Sequence, residues 1–213
     1  MAKLPQGIMG PLVGTAGPIT GYLRLGIPVV RSKTRPNSFK PTAARTAQQR
    51  KLQLVLPFIK SFTGTGFLKK SFPIGTEGST GYNRALSQTM NGALVGSDPD
   101  LLLAYPLVLV SRGSLPKAAA PTVIVEADGN LRFRWEDNST TGKAKATDMV
   151  LLVAYFPDLE QVICSTEAAY RSEGEALLQT NNLRGQKAET WMGFINEDAT
   201  DASDSVYTGT VLL

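Results

Sequence analysis

Between residues 119 and 213 the chain is written as seven short apolar runs, each too short for a helix of ordinary length. They are Thr122-Val-Ile-Val-Glu, Leu131-Arg-Phe-Arg-Trp, Met149-Val-Leu-Leu-Val-Ala-Tyr, Glu160-Gln-Val-Ile-Cys, Ala176-Leu-Leu-Gln, Glu189-Thr-Trp-Met-Gly-Phe-Ile and Val206-Tyr-Thr-Gly-Thr-Val-Leu. Turn signals separate several of them: Asp128-Gly-Asn, Ser172-Glu-Gly and Arg184-Gly. Strands alternate their side chains, so Leu131, Phe133 and Trp135 share one face while Arg132 and Arg134 take the other. Seven such strands predict a two-sheet sandwich with Trp135 and Trp191 as core anchors.

The first half follows other rules. Residues 7–26 carry glycine at 7, 10, 14, 17, 21 and 26, with Gly10-Pro-Leu-Val-Gly answered by Gly17-Pro-Ile-Thr-Gly. That much glycine, with Pro11 and Pro18 inside the run, excludes a helix and predicts turns and short extended pieces. Residues 22–31 suit a hairpin turning around Gly26-Ile-Pro28, and residues 32–41 read as an exposed connector. An arm of this kind has little core of its own and is expected to be ordered by a neighbour.

A helix is predicted after Pro41 and Thr42. Thr46-Ala-Gln-Gln has capping-box spacing, Ala44, Leu52, Val55, Ile59 and Phe62 share a face, and Pro57 should kink the helix or end its first part. Residues 67–81 read as turn-rich, and residues 82–94 as a second, shorter helix. Residues 101–110 are an apolar run broken at Pro106, and 111–121 a linker. The fold class expected is α+β, in three parts: a basic Gly/Pro-rich extended arm (1–41), a small helical or mixed region (42–118) and an all-β immunoglobulin-like sandwich (119–213).

Charge divides the chain as sharply as periodicity does. Residues 1–75 hold twelve Lys and Arg and no Asp or Glu; up to residue 118 the count is fifteen basic against three acidic, net +12, and from 119 onward seven against fifteen, net −8. Opposite halves imply a partner for each, or each as the other's partner. The residues expected to make assembly or nucleic-acid contacts are Arg24, Arg31, Lys33, Arg35, Lys40, Arg45, Arg50 and Lys51. The acidic partner surface expected is Glu197, Asp198, Asp201 and Asp204.

Chemistry is sparse. Histidine is absent, which removes Ser-His-Asp and Cys-His catalysis and the commonest zinc ligand. Cys164 is the lone cysteine and reads as a buried structural thiol. The acidic run 197–204 lacks the spacing of a calcium loop, Glu173 and Glu175 flank a turn, and no Gly-Lys-Ser/Thr follows the glycine run. No catalytic, cofactor-binding or metal-binding residue is expected, nor an enzyme, a cofactor or a small-molecule substrate. No run of eighteen apolar residues and no signal-peptide core is visible, so cytoplasmic synthesis without a membrane partner is expected.

Three resemblances rest on particular residues. Pro121-Thr-Val-Ile-Val, Gly129-Asn-Leu-Arg-Phe-Arg-Trp, residues 149–155 and Leu183-Arg-Gly-Gln-Lys-Ala-Glu-Thr-Trp-Met-Gly-Phe-Ile resemble the strand and turn order of a fibronectin type III domain. The departures are the insertion at 138–147 and Trp191, where that family often carries Tyr. The whole chain, through Met1-Ala-Lys-Leu-Pro-Gln-Gly-Ile-Met-Gly, Val30-Arg-Ser, Thr46-Ala-Gln-Gln-Arg, Thr147-Asp and Ser203-Asp-Ser-Val-Tyr-Thr-Gly, resembles a family of uncharacterised Bacteroidota proteins defined only as a domain of unknown function. The arm followed by Thr-x-x-Gln-x-x-Arg and a helix is also similar to small structural proteins of tailed bacteriophages.

The function expected is that of a structural protein that self-assembles, the basic arm of one subunit lying on the acidic sandwich of the next, as in a virion or virion-like component. The alternative is a nucleic-acid-binding protein using the arm and the helix over 42–62, and a third reading is a surface adhesive module. A second copy, other structural proteins and nucleic acid are the partners these readings name.

Overall fold

The computed structural model describes residues 3–5, 7, 10–33, 40, 42–73, 79–97, 100–180 and 183–213, in two compact units, Met1–Thr42 and Ala43–Leu213. The first unit is a three-stranded antiparallel meander of β1 (Gly14–Ala16), β2 (Ile19–Arg24) and β3 (Ile27–Ser32). Both of its turns need a left-handed residue, Gly17 (φ +57°) in the first and Leu25 (φ +51°) with Gly26 (φ +84°) in the second. Two consecutive positive φ values match the right-handed twist of a hairpin. The second turn is therefore at Leu25–Gly26, not around Gly26-Ile-Pro28: Arg24 pairs with Ile27, and Pro28 lies inside β3 opposite Leu23. Among the described residues of this unit only Gly21 is buried.

The second unit begins with α1 (Ala43–Ser61), α2 (Phe67–Ser71) and α3 (Gly81–Gly92), then the two-residue strands β4 (Leu94–Val95) and β5 (Leu102–Leu103) and a 3₁₀ turn at Tyr105–Leu107. Seven longer strands follow: β6 (Ala119–Val125), β7 (Leu131–Glu136), β8 (Met149–Phe156), β9 (Gln161–Ser165), β10 (Glu175–Leu178), β11 (Lys187–Ile195) and β12 (Val206–Leu212). They form two antiparallel sheets, ordered β10-β7-β6 and β12-β11-β8-β9.

Between the sheets, Leu131, Phe133 and Trp135 of β7 meet Val150, Leu152, Ala154 and Phe156 of β8 and Met192 and Phe194 of β11. The outer face of the four-stranded sheet is covered too. Leu151, Val153 and Tyr155 of β8 and Trp191 and Ile195 of β11 pack against Val55, Phe58, Ile59 and Phe62 of α1 and Phe67 of α2. The unit thus has three layers, and β8 and β11 are buried on both faces: β8 is apolar throughout, while β11 carries Glu189 and Thr190 inside, each held by hydrogen bonds to β12.

Several sequence expectations change here. Residues 42–118 and 119–213 do not separate at 118, because from Ala43 onward they share one core. The proposed linker 111–121 is no free linker: residues 111–115 are hydrogen-bonded to 202–205, and 119–121 begin β6. The Ser111 hydroxyl donates to the Ser203 carbonyl at 2.8 Å, the Ser205 hydroxyl accepts from Val110 N–H at 2.9 Å, and Leu115 N–H donates to the Ala202 carbonyl at 3.0 Å. Gly193 is where that segment crosses β11; a Cβ there would lie 2.6 Å from the Ser111 Oγ.

Helix α1 starts at Ala43, so Thr46 sits in its first turn rather than at its cap, and Ala44 is exposed. The helix runs through Pro57 to Ser61. The carbonyl that Pro57 leaves without an N–H belongs to Gln53, whose exposure lets water take it. Helix α2 falls where turns were read. Helix α3 starts as its sequence asks, with the Thr80 hydroxyl accepting from Asn83 N–H at 3.2 Å. No described helix is long and apolar enough to cross a membrane.

Candidate functional site

Direct cross-strand partners lie on the same side of a sheet, and this sorts the arm unit into two faces. One carries Ala16, Ile19, Leu23, Pro28 and Val30, with Ser32 as the one polar side chain among the paired strand residues described. Ile19, Leu23 and Val30 are 40, 52 and 57 % exposed. The other carries Thr15, Thr20, Arg24 and Arg31 together with Tyr22, Val29 and Ile27. On it the Arg31 guanidinium lies 5.5 Å from the centre of the Tyr22 ring.

The basic residues singled out from sequence fall in both units. Arg24, Arg31, Lys33 and Lys40 are exposed in the first; Arg45 and Arg50 are exposed and Lys51 half-buried on α1 in the second; Arg35 lies outside the described residues. The four acidic residues do not act alike. Glu197 and Asp198 are exposed, but Asp201 accepts from Ser114 N–H at 2.9 Å and from the Ser114 hydroxyl at 2.5 Å, and Asp204 accepts from Gly113 N–H at 3.3 Å and faces Lys117 at 3.6 Å. Two of the four carboxylates therefore hold the 113–117 segment. The hydrogen bonds to Ser114 and Ala202 hold the Asp201 carboxyl below its usual range, against the opposing pull of its own burial.

Trp135 is 6 % exposed, and its indole N–H donates to the Arg171 carbonyl at 2.7 Å. Trp191 is fully buried among Phe58, Tyr105 and Tyr207. Glu173 accepts from Tyr170 N–H, and Glu175 is bound by Arg132 and Arg134, so they form no carboxylate pair. Cys164 is half-buried in β9, and burial pushes its thiol up, which disfavours the nucleophilic thiolate.

Two constellations escaped the sequence reading. Arg171 and Asp148, 0 and 1 % exposed, form an ion pair at 3.1 Å. The same guanidinium donates to Asn138 Oδ1 at 2.6 Å and to the Pro116 carbonyl at 3.3 Å, and lies 3.7 Å from the centre of the Phe194 ring. Twenty-three residues separate the pair in sequence, with no motif to link them. The other is Glu189, nearly buried in β11, which accepts from the Tyr207 hydroxyl at 2.5 Å and from the Thr210 hydroxyl at 2.8 Å, with Lys187 at 3.2 Å.

Burial pushes the Tyr155 phenol up to about 12 and raises Tyr105, where Glu189 and Asp158 add to the effect. Folding favours these phenols protonated, so their contribution to stability is complete below the ordinary value of 10.0 and is lost as pH rises from there toward about 12. A titration followed by phenolate absorbance should show part of the tyrosine signal delayed beyond pH 10.0 in the folded protein and released on unfolding. A native titration in which every tyrosine ionises together near the ordinary value would contradict this packing.

Among the described residues no group of three or more Cys, Asp or Glu side chains is placed to hold a metal. No curated protein and no solved structure matches the chain. One family model does, over residues 11–209, under the description "Family of unknown function (DUF6266)". That match runs from the arm to the last strand, and the chain belongs to the DUF6266 family.

Proposed function

We propose that this chain is a structural protein that self-assembles through its arm unit, a second copy covering the exposed face of Ile19, Leu23, Pro28 and Val30. One observation carries the reading: Leu12 covers this face of the three-stranded sheet only at Gly21, and Ile19, Leu23 and Val30 around it stay exposed to water. Sheets this small need a covered apolar face for stability, and exposed apolar faces mark interaction sites. The absence of any carboxylate from residues 1–75 adds long-range attraction to the net −8 of residues 119–213 on another copy. Within the reading of a virion component, the sandwich serves as a fibronectin type III-like platform. Three strands in the order β10-β7-β6 and four in the order β12-β11-β8-β9 correspond to strands E-B-A and G-F-C-C′ of that fold, which supports the likeness.

Size-exclusion chromatography with light scattering at low and high salt tests this. The full chain should form a large species that survives high salt, because apolar contacts are not screened as exposed charges are. Deleting residues 1–40 should leave a folded monomer. Leu23→Asp should raise the assembly's dissociation constant at least about tenfold, since burying a leucine side chain is worth about 1.5–3 kcal/mol. A full chain that stays monomeric and free of nucleic acid would overturn the proposal. A monomer that carries nucleic acid at low salt and sheds it at high salt would move the reading to phosphate binding, which the Arg31–Tyr22 pair on the polar face favours.

A further inference from the structure

A cavity of about 540 Å³ lies between α3 and residues 112–114. Its walls carry two guanidiniums, Arg84 and Arg112, and the uncharged polar side chains of Ser79, Asn83, Ser87 and Ser114, with no carboxylate among the described lining residues. The guanidinium of Arg84 is held in place, with Nη1 donating to the Ser79 carbonyl at 2.6 Å and Nη2 to the Phe72 carbonyl. With both terminal nitrogens engaged, its buried Nε–H has no hydrogen-bond partner, an arrangement that native proteins rarely leave without a cause.

Arg112 approaches from another element. Its main-chain N–H donates to the Ser71 carbonyl at 3.1 Å and its Nη1 to Gln88 Oε1, which fixes the side chain beside α3. Among the described residues no carboxylate forms an ion pair with either guanidinium; Asp201 stands behind Ser114 with its charge intact, and Lys143, 3.1 Å from the Ser114 hydroxyl, offsets it. The first turn of α3 holds no acidic residue, so the positive end of its dipole adds to the same field.

We propose that this cavity binds a phosphate group. Two planar guanidiniums offer several charged N–H donors to a tetrahedral oxyanion, and the hydroxyls of Ser79 and Ser87 and the Asn83 amide add neutral ones; the Ser114 hydroxyl already donates to Asp201. The volume falls within the range of about 300–1,000 Å³ usual for small-molecule sites, so the phosphate has room to carry an organic body. The site is independent of the arm unit and of the assembly reading. It departs from the expectation that the chain binds no small molecule.

Arginine side-chain NMR on the full chain tests it, following the Arg84 Nε–H signal during titration with inorganic phosphate and then with a nucleoside monophosphate. The signal should shift and saturate with at least one of the two. Equal affinities identify free phosphate as the ligand, and a monophosphate bound about tenfold tighter or more identifies a phosphate ester. Arg112→Ala, at an exposed position that should leave the fold intact, is expected to weaken binding at least about tenfold, with Arg112→Lys between. No saturable shift with either probe, or a shift of the same affinity in Arg112→Ala, would overturn the proposal.

Discussion

Replacing Asp148 with alanine should destabilise the unit Ala43–Leu213 by about 3–5 kcal/mol, read from the shift of its urea unfolding midpoint. The cause is the Arg171 guanidinium, fully buried and left with neutral partners once its carboxylate is gone. Burial already pulls the Arg171 pKa down, and Asp148 is the group that opposes this most. The remaining Asn138 and Pro116 oxygens and the Phe194 ring do not neutralise a charge. Removing the cation as well separates charge from packing: Asp148→Ala with Arg171→Met should be more stable than Asp148→Ala alone. If Asp148→Ala cost only the half kcal/mol or so of an ordinary surface change, the pair would not be the buried hub drawn here.

Phe58→Ala is the second large effect expected, about 3–5 kcal/mol for a buried aromatic ring. Phe58 sits 2 % exposed between layers, its ring 5.4 Å from Phe62 on its own helix, 4.9 Å from Tyr155 on β8 and 5.8 Å from Trp191 on β11. Because helices and sheets share that core, the truncation should lower one cooperative transition, seen together by helix-sensitive and tryptophan-sensitive probes. Two separate transitions, with only the helical signal moved, would mean that the helices melt apart from the sandwich.

The seven strands were legible because their sequence obeys local rules. Leu131, Phe133 and Trp135 alternate with arginines, and turn residues stand between the runs. The same locality explains what was missed. Val150 to Phe156 is apolar at every position, the mark of a strand covered on both sides, yet only contact with α1 says what covers the second side. The change of charge near residue 118 suggested a boundary, but charge is a property of surfaces and says nothing about a shared interior. Within the acidic run, spacing could not tell Asp201 and Asp204, which bind the 113–117 segment, from Glu197 and Asp198, which face water. The Arg84–Arg112 cavity joins residues from distant turns, and Arg171 finds Asp148 only when β8 and the turn before β10 are side by side.

The order of the layers along the chain has a consequence for synthesis on the ribosome. Phe58 and its neighbours on α1 leave the exit tunnel before any of the sheet that will cover them exists. Trp191 follows about 130 residues later, a delay on the order of ten seconds at roughly 5–20 residues per second. For that interval the nascent chain displays an amphipathic helix next to a basic arm. Burial of the aromatic face of α1 can begin with Phe67 of α2 and Tyr155 of β8, and is complete only with Trp191 of β11, near the end of translation.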